Sequence, residues 1–96
     1  MQPDVTSAAA ISKLTLGSYP NPTRESSTIT FSLPKTGHAQ LAIFDMTGKQ
    51  VAVLVNGYLP AGDHRTTLIT HHFPAGAYLV KLVYDGKTIT KKILKE

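Results

Sequence analysis

The chain has 96 residues, a net charge of +4 and no cysteine. This length suits one domain rather than two, and the lack of cysteine excludes disulfides, thiolate metal sites and cysteine nucleophiles. No apolar run approaches the ~20 residues that span a bilayer, and no zinc spacing, RNP-like motif or recognition-helix pattern predicts nucleic-acid binding.

Residues 1–10 are polar or small and show no periodic pattern, so we interpret them as a flexible linker. They also lack the charged start and apolar stretch of a secretory signal peptide. Residues 11–96 are predicted to form the folded domain. They begin with "ISKLTLG", the first of seven short runs that have β-type character.

Most of these runs alternate apolar and polar residues with a period of two, which places one face of each strand on a core. Tyr78 and Tyr84 define such a face in the sixth run, and Val51, Val53 and Val55 are expected to do so in the fourth. The predicted strands are Ile11–Gly17, Ser27–Leu33, Ala39–Met46, Lys49–Val55, His64–Thr70, Ala77–Tyr84 and Thr88–Lys95.

The last strand departs from this pattern because Lys91 falls between Ile89 and Ile93 on the nominal core side. Either a β-bulge or a position at the rim of the sandwich would explain it. Five of the ten basic residues lie in the last sixteen positions. This skew indicates either an acidic partner or an edge strand protected by lysines.

The first strand runs into the sequence Tyr19-Pro20-Asn21-Pro22. Proline cannot donate to a β-ladder, so the two prolines must end the strand. We predict a rigid corner that redirects the chain to the next sheet. Hairpin signals follow at 47–48 and 85–86, and the short connections predict an all-β, Ig-like antiparallel β-sandwich of about seven strands.

The chain contains no constellation typical of catalysis or metal binding. Almost all of its carboxylates fall in turns or at the chain ends, and His71 and His72 would point to opposite faces of a strand. A surface loop is the expected setting for this pair. No GxSxG, HExxH or P-loop motif occurs. We therefore expect no enzyme, no cofactor and no metal site, and predict a binding, structural or addressing module.

Six motifs in order give a resemblance that covers residues 14–96. This succession is similar to the C-terminal sorting domains (type A) of the type IX secretion system. The matching stretches are Tyr19–Pro22, Ile29–Pro34, Leu41–Val51, Ala61–His64, Gly76–Tyr78 and Lys91–Lys95. The sequence departs from the family at Leu68, where many members carry tryptophan, and at His71–Phe73. Local differences in packing are expected there, with the fold intact.

The resemblance implies an Ig-like sandwich at the C-terminus of a larger secreted cargo protein of a Gram-negative bacterium. Such a domain passes through the periplasm and is recognised by the outer-membrane translocon and its shuttle protein. A cell-surface sortase then generally removes it and links the N-terminal cargo domain to an anionic lipopolysaccharide. The implied destination is the cell surface or the extracellular space. The candidate cleavage region is the linker segment Thr6, Ser7, Ala8, Ala9 and Ala10.

Eight residues are candidates for recognition by this machinery, namely Pro20, Asn21, Pro22, Gly76, Tyr78, Lys91, Lys92 and Lys95. Each also has a structural interpretation. The prolines could serve only as a corner, the glycine and tyrosine only as packing, and the lysines only as edge protection. Exposed first and last strands could also support a strand-mediated homodimer. Alternative functions are an accessory carbohydrate-binding or spacer sandwich and an assembly domain of the flagellar hook-cap type.

Overall fold

A computed structural model describes residues 14–96. Their seven strands form two antiparallel sheets, with orders β1-β2-β5 and β4-β3-β6-β7. This arrangement confirms the predicted all-β sandwich. No helix long and apolar enough to cross a membrane occurs in this range. The strands are β1 (Thr15–Tyr19), β2 (Ser26–Leu33), β3 (Gly37–Asp45), β4 (Gln50–Leu59), β5 (Gly62–Ile69), β6 (Gly76–Tyr84) and β7 (Lys87–Lys95).

The core lies between the two sheets and follows the predicted alternation in β2 and β6. Tyr78 and Tyr84 are buried on the inner face of β6. Leu68, at the place of the family tryptophan, is buried in the same core from β5 of the other sheet. The core side chains are those of Leu16, Ile29, Phe31, Leu33, Ala39, Leu41, Ile43, Leu68, Tyr78, Val80, Leu82, Tyr84 and Ile93.

The predicted inner face of β4 is wrong for two of its three valines. Val51 is 37% exposed and Val53 is 48% exposed, whereas Ala52, Leu54 and Val55 pack against the core. The pairing of β4 with β3 shifts register twice, which leaves Val51 and Leu54 as extra residues. Each such bulge inserts one residue and reverses the alternation beyond it, so a strict period of two fails here.

The predicted change of sheet at the proline corner is also wrong. β1 pairs with β2 in the same sheet, from Thr15 opposite Ser32 to Tyr19 opposite Thr28. The corner therefore returns the chain to its own sheet. Strand β1 runs two residues further than predicted, and the predicted residues 11–13 lie outside the described range. The linker 1–10, with the candidate cleavage region Thr6, Ser7, Ala8, Ala9 and Ala10, lies outside it too.

Strand β7 pairs with β6 without any register shift, from Gly76 opposite Lys95 to Tyr84 opposite Lys87. This continuity excludes a bulge at Lys91 in the pairing with β6. Lys91 is exposed, so it occupies a rim position, which is the second of the two predicted explanations. The hairpin before β7 turns at residues 85 and 86, both with positive φ, as the Asp-Gly signal predicted.

The histidine pair lies in the turn after β5, where both His71 and His72 are exposed. The expected loop setting is confirmed. Phe73 follows them and packs toward the core, with its ring centroid 5.1 Å from that of Tyr78. The part of the atypical "HHF" segment that faces inward thus fills space beside a core tyrosine.

Candidate recognition surface

Asn21 connects the proline corner to the last strand through its side chain. Its Oδ1 accepts a hydrogen bond from the backbone N–H of Leu94 at 3.0 Å, and its Nδ2 donates to the C=O of Lys92 at 3.1 Å. A carboxamide has the donor and acceptor of a peptide group. Asn21 therefore pairs with β7 as a neighbouring strand residue would, although its pairing groups are in the side chain.

Thr23 continues this pairing with its backbone. Its N–H donates to the C=O of Leu94 at 2.8 Å, and its C=O accepts from the N–H of Glu96 at 2.9 Å. Thr23 and Lys95 form an isolated parallel bridge. Residues 21–23 consequently lie along the outer edge of β7, which would otherwise expose these backbone groups to solvent.

The side chain of Thr23 fixes the corner from the inside. It is 1% exposed; its hydroxyl donates to the C=O of Ser26 at 2.8 Å and lies 2.9 Å from the hydroxyl of Thr70. Because the single Thr23 proton goes to Ser26, Thr70 donates to Thr23. Ser27 donates to the C=O of Pro20 at 3.1 Å. These bonds hold the corner against β2 and the end of β5.

An ion pair and a groove border the corner on its solvent side. Arg24 Nε lies 2.7 Å from Glu96 Oε1. The hydrogen bond and the charge of Glu96 raise the pKa of Arg24 above its ordinary value, so the guanidinium stays protonated. Exposed pairs of this kind add little to stability. A groove of about 460 Å³ lies beside them and is lined by Pro20, Pro22, Arg24, Glu25, Ser26 and Glu96.

The three candidate lysines do not form a single patch. Lys91 and Lys92 are exposed, whereas Lys95 is half-buried and its Nζ donates to the C=O of Glu96 at 3.0 Å. Lys95 is therefore less accessible to a partner than Lys91 and Lys92. Neighbouring side chains in a strand point to opposite faces, so Lys91 and Lys92 flank the edge of β7 from its two sides.

Gly76 and Tyr78 lie at the start of β6, next to the end of β7. Gly76 pairs with Lys95 and has a φ of 147°, a conformation that L side chains rarely adopt. Tyr78 is buried, and its hydroxyl donates to the C=O of Pro74 at 2.6 Å. Tyr78 thus packs in the core, and its exposed fraction of 6% leaves little of it for a partner to contact.

We call residues 20–24 and 91–96 together the corner–terminus surface. The fold brings the predicted corner and the predicted lysines into direct contact there, and it places Gly76 beside them. Thr23, Arg24 and Glu96 belong to the same surface but were not predicted. Their sequence signals are a threonine and an arginine in a turn and a terminal glutamate, and nothing in these signals pairs residues more than seventy positions apart.

Comparison with known families identifies the chain. The model described as "secretion system C-terminal sorting domain" matches residues 18–96. The chain belongs to this family. The matched range contains the whole corner–terminus surface. A comparison with curated proteins finds no match.

The resemblance to type IX sorting domains is thereby confirmed. As a type IX sorting domain, the chain is a C-terminal sorting signal that interacts with the secretion machinery. It belongs to a secreted protein that goes to the cell surface or the extracellular space.

The sorting domain presents its two exposed tyrosines, Tyr19 and Tyr58, on different sheets. Within residues 14–96 no group of three or more histidine or carboxylate side chains could hold a metal ion.

Proposed function

We propose that the corner–terminus surface is the part of the sorting domain that the secretion machinery reads. In this proposal the domain is non-catalytic and directs an N-terminal cargo domain from the periplasm across the outer membrane. Its partners are the outer-membrane translocon and its shuttle protein. A cell-surface sortase then removes the domain within the segment Thr6–Ala10.

The double contact of Asn21 with β7 is the observation that supports this proposal. It joins the corner to the last strand, and the cluster of Thr23, Ser26 and Thr70 holds the corner in place. A surface that is already ordered binds a receptor without a large loss of conformational entropy. Lys91 and Lys92 add an exposed positive charge on each side of the strand.

The carbohydrate-binding alternative lacks such support. Sugar binding by a β-sandwich requires exposed aromatic side chains on one face. Tyr19 is 51% exposed and Tyr58 is 77% exposed, but they lie in different sheets. Tyr78 and Tyr84 are buried. We therefore favour the sorting function over a sugar-binding role.

The test is an export assay with residues 1–96 fused behind a soluble carrier that bears a signal peptide. The parent fusion should reach the surface or the medium of a type IX-competent bacterium. Lys91→Gln with Lys92→Gln should reduce export, because glutamine removes the charge and keeps much of the stem. The matched control is Lys35→Gln with Lys49→Gln, which removes the same charge from exposed turns distant in sequence.

Thermal melting of both double variants separates export from folding. Substitutions of exposed residues usually change stability by less than about 0.5 kcal/mol. If the parent fusion stays in the periplasm, the sorting proposal is wrong. If the folded Lys91/Lys92 variant is exported as well as the parent, these lysines protect an edge and are not read by the machinery.

The sortase step has its own test. A released domain whose first residue lies after Tyr19 would contradict cleavage in the segment Thr6–Ala10.

A further inference from the structure

Strand β7 lies at the edge of its sheet and, among the described strands, pairs with β6 alone, although β1 of the other sheet lies near it. The N–H and C=O of one residue point to the same side of a strand, and the side alternates along the chain. Asn21 and Thr23 bond the outward groups near the end of β7, at Lys92 and Leu94, and Thr23 also accepts from the N–H of Glu96. By this alternation the outward groups in the first half of the strand belong to Thr88 and Thr90, followed by the N–H of Lys92.

The first half of β7, residues 88–92, is therefore an edge whose backbone has no pairing strand among residues 14–96. We call it the open edge. It ends abruptly where the Asn21 carboxamide occupies the next pairing position. A visiting segment of about five residues could pair with the open edge and would then meet the corner.

The other sheet edges are less suitable for strand addition. Strand β4 is interrupted by two register shifts, and β1 has only five residues and ends at the proline corner. Strand β5 is regular, but its charges, Asp63 and Arg65, are of opposite sign. Bulges and short strands are common protections against edge pairing.

The charge of β7 is of one sign along the open edge. The side chains of Lys87 and Lys91 lie on the core-facing side of the sheet, opposite Tyr84 and Val80, and that of Lys92 lies on the solvent-facing side. Strand β7 contains no carboxylate, and the nearby Glu96 is paired with Arg24. An added strand would thus place side chains next to lysines on both of its faces, where opposite charges stabilise cross-strand pairs.

We propose that the open edge of β7 binds an extended acidic segment of a partner protein by β-strand addition. Main-chain hydrogen bonds to Thr88, Thr90 and Lys92 would supply affinity, and the lysines would select for glutamate or aspartate. This inference rests on the proposed sorting function for its biological partner, a protein of the secretion machinery. A second copy of β7 is disfavoured as the added strand, because its own lysines would lie against these lysines.

The binding test uses the full chain and a synthetic peptide of alternating glutamate and threonine as the probe. The peptide should bind, and the same peptide with glutamine in place of glutamate should bind about tenfold more weakly or worse. Amide hydrogen exchange should slow at Thr88 and Thr90 in the complex. It should not slow at Thr67, which lies on the edge strand β5. Equal binding of both peptides, or unchanged exchange at Thr88 and Thr90, would overturn the proposal.

Two proline variants test the edge by mutation. Thr90→Pro removes an outward N–H that the added strand needs, so it should abolish peptide binding. The domain should still fold, because proline is tolerated where the lost N–H faces solvent. Thr67→Pro does the same on β5 and should leave binding unchanged. Three residues after Thr67, the N–H of Thr70 donates to the C=O of Glu25, on the β2 side. By alternation the N–H of Thr67 therefore points outward. Melting curves check both folds, and the exchange experiment needs neither variant.

Export and self-association complete the test. A folded Thr90→Pro fusion should fail to leave the periplasm, and a Thr67→Pro fusion should be exported. If the parent and Thr90→Pro are exported equally, strand addition is wrong while the sorting function stands. If the parent itself is retained, the sorting function fails instead. A dimer in sedimentation equilibrium that disappears in Thr90→Pro would show that a second copy occupies the edge, which would overturn the acidic partner.

Discussion

The side chain of Asn21 accepts a hydrogen bond from the backbone N–H of Leu94, 73 positions later in the sequence. The same carboxamide donates to the C=O of Lys92. The corner that follows β1 in one sheet thereby supplies hydrogen-bond partners to β7, an edge strand of the other sheet. This contact connects the start of the domain to its last strand.

Replacement of Asn21 by alanine removes both bonds and should lower the free energy of unfolding by about 1 kcal/mol, within the usual net range for an intramolecular hydrogen bond. Asn21→Asp should also destabilise, because a carboxylate cannot donate to the C=O of Lys92. Urea denaturation measures both changes. Asn56→Ala, at an exposed asparagine of β4, is the control and should be nearly neutral. Equal stability of parent and Asn21→Ala would show that solvent replaces these bonds without cost.

The buried hydroxyl pair of Thr23 and Thr70 should respond asymmetrically to mutation. Thr23→Val leaves the Thr70 donor buried without an acceptor and also frees the C=O of Ser26, so it should cost about 1–3 kcal/mol. Thr70→Val leaves Thr23 bonded to Ser26 and should cost less. The double variant should be less destabilised than the sum of the single ones, and a double-mutant cycle by chemical denaturation measures this. Additive effects would contradict a direct bond between the two hydroxyls.

Gly76 and Gly57 provide a matched pair of glycine substitutions. An added Cβ meets no atom within 4 Å at either position, but only Gly76 has a positive φ, of 147°. Gly76→Ala should therefore destabilise by about 1–3 kcal/mol through backbone strain, whereas Gly57→Ala should change stability by less than about 1 kcal/mol. Thermal melting distinguishes them. Similar melting temperatures for the two variants would mean that the backbone at Gly76 relaxes without cost.

The β3–β4 turn should make stability depend on acid pH through Asp45. Its Oδ1 accepts from the hydroxyl of Thr47 at 2.6 Å and from the N–H groups of Lys49 and Thr47. These bonds, led by that of the Thr47 hydroxyl, lower the pKa of Asp45 below its ordinary value. Their contribution is present above the unfolded-state pKa of about 3.9. It is lost as the pH falls through the lower pKa of the folded state.

Comparison of the parent with Asp45→Asn by urea denaturation between about pH 2 and pH 6 measures this contribution. The stability difference should be constant above about pH 5 and should shrink as the pH falls below the unfolded-state pKa. Thr47→Ala should raise the pKa of Asp45 toward its ordinary value. A difference that stays the same at every pH would exclude Asp45 as the titrating group.

The sequence predicts most of the fold because alternation is a local property. Inner residues of β2 and β6 follow it without interruption, and the hairpin at residues 85–86 is encoded by two adjacent residues. It fails in β4, where two bulges reverse the faces of Val51 and Val53. A bulge depends on how the partner strand pairs, and the sequence of one strand does not contain that information.

The sequence by itself determined the strand content, the rigid corner and the family, since each rests on residues that are close along the chain or on motifs in a fixed order. Only the tertiary structure decided that the corner stays within its own sheet and pairs with β7 through Asn21 and Thr23. It also decided that Lys91 and Lys92 flank one edge while Lys95 is half-buried. Such pairings form between distant segments through backbone groups that every residue carries, so residue type alone does not specify them.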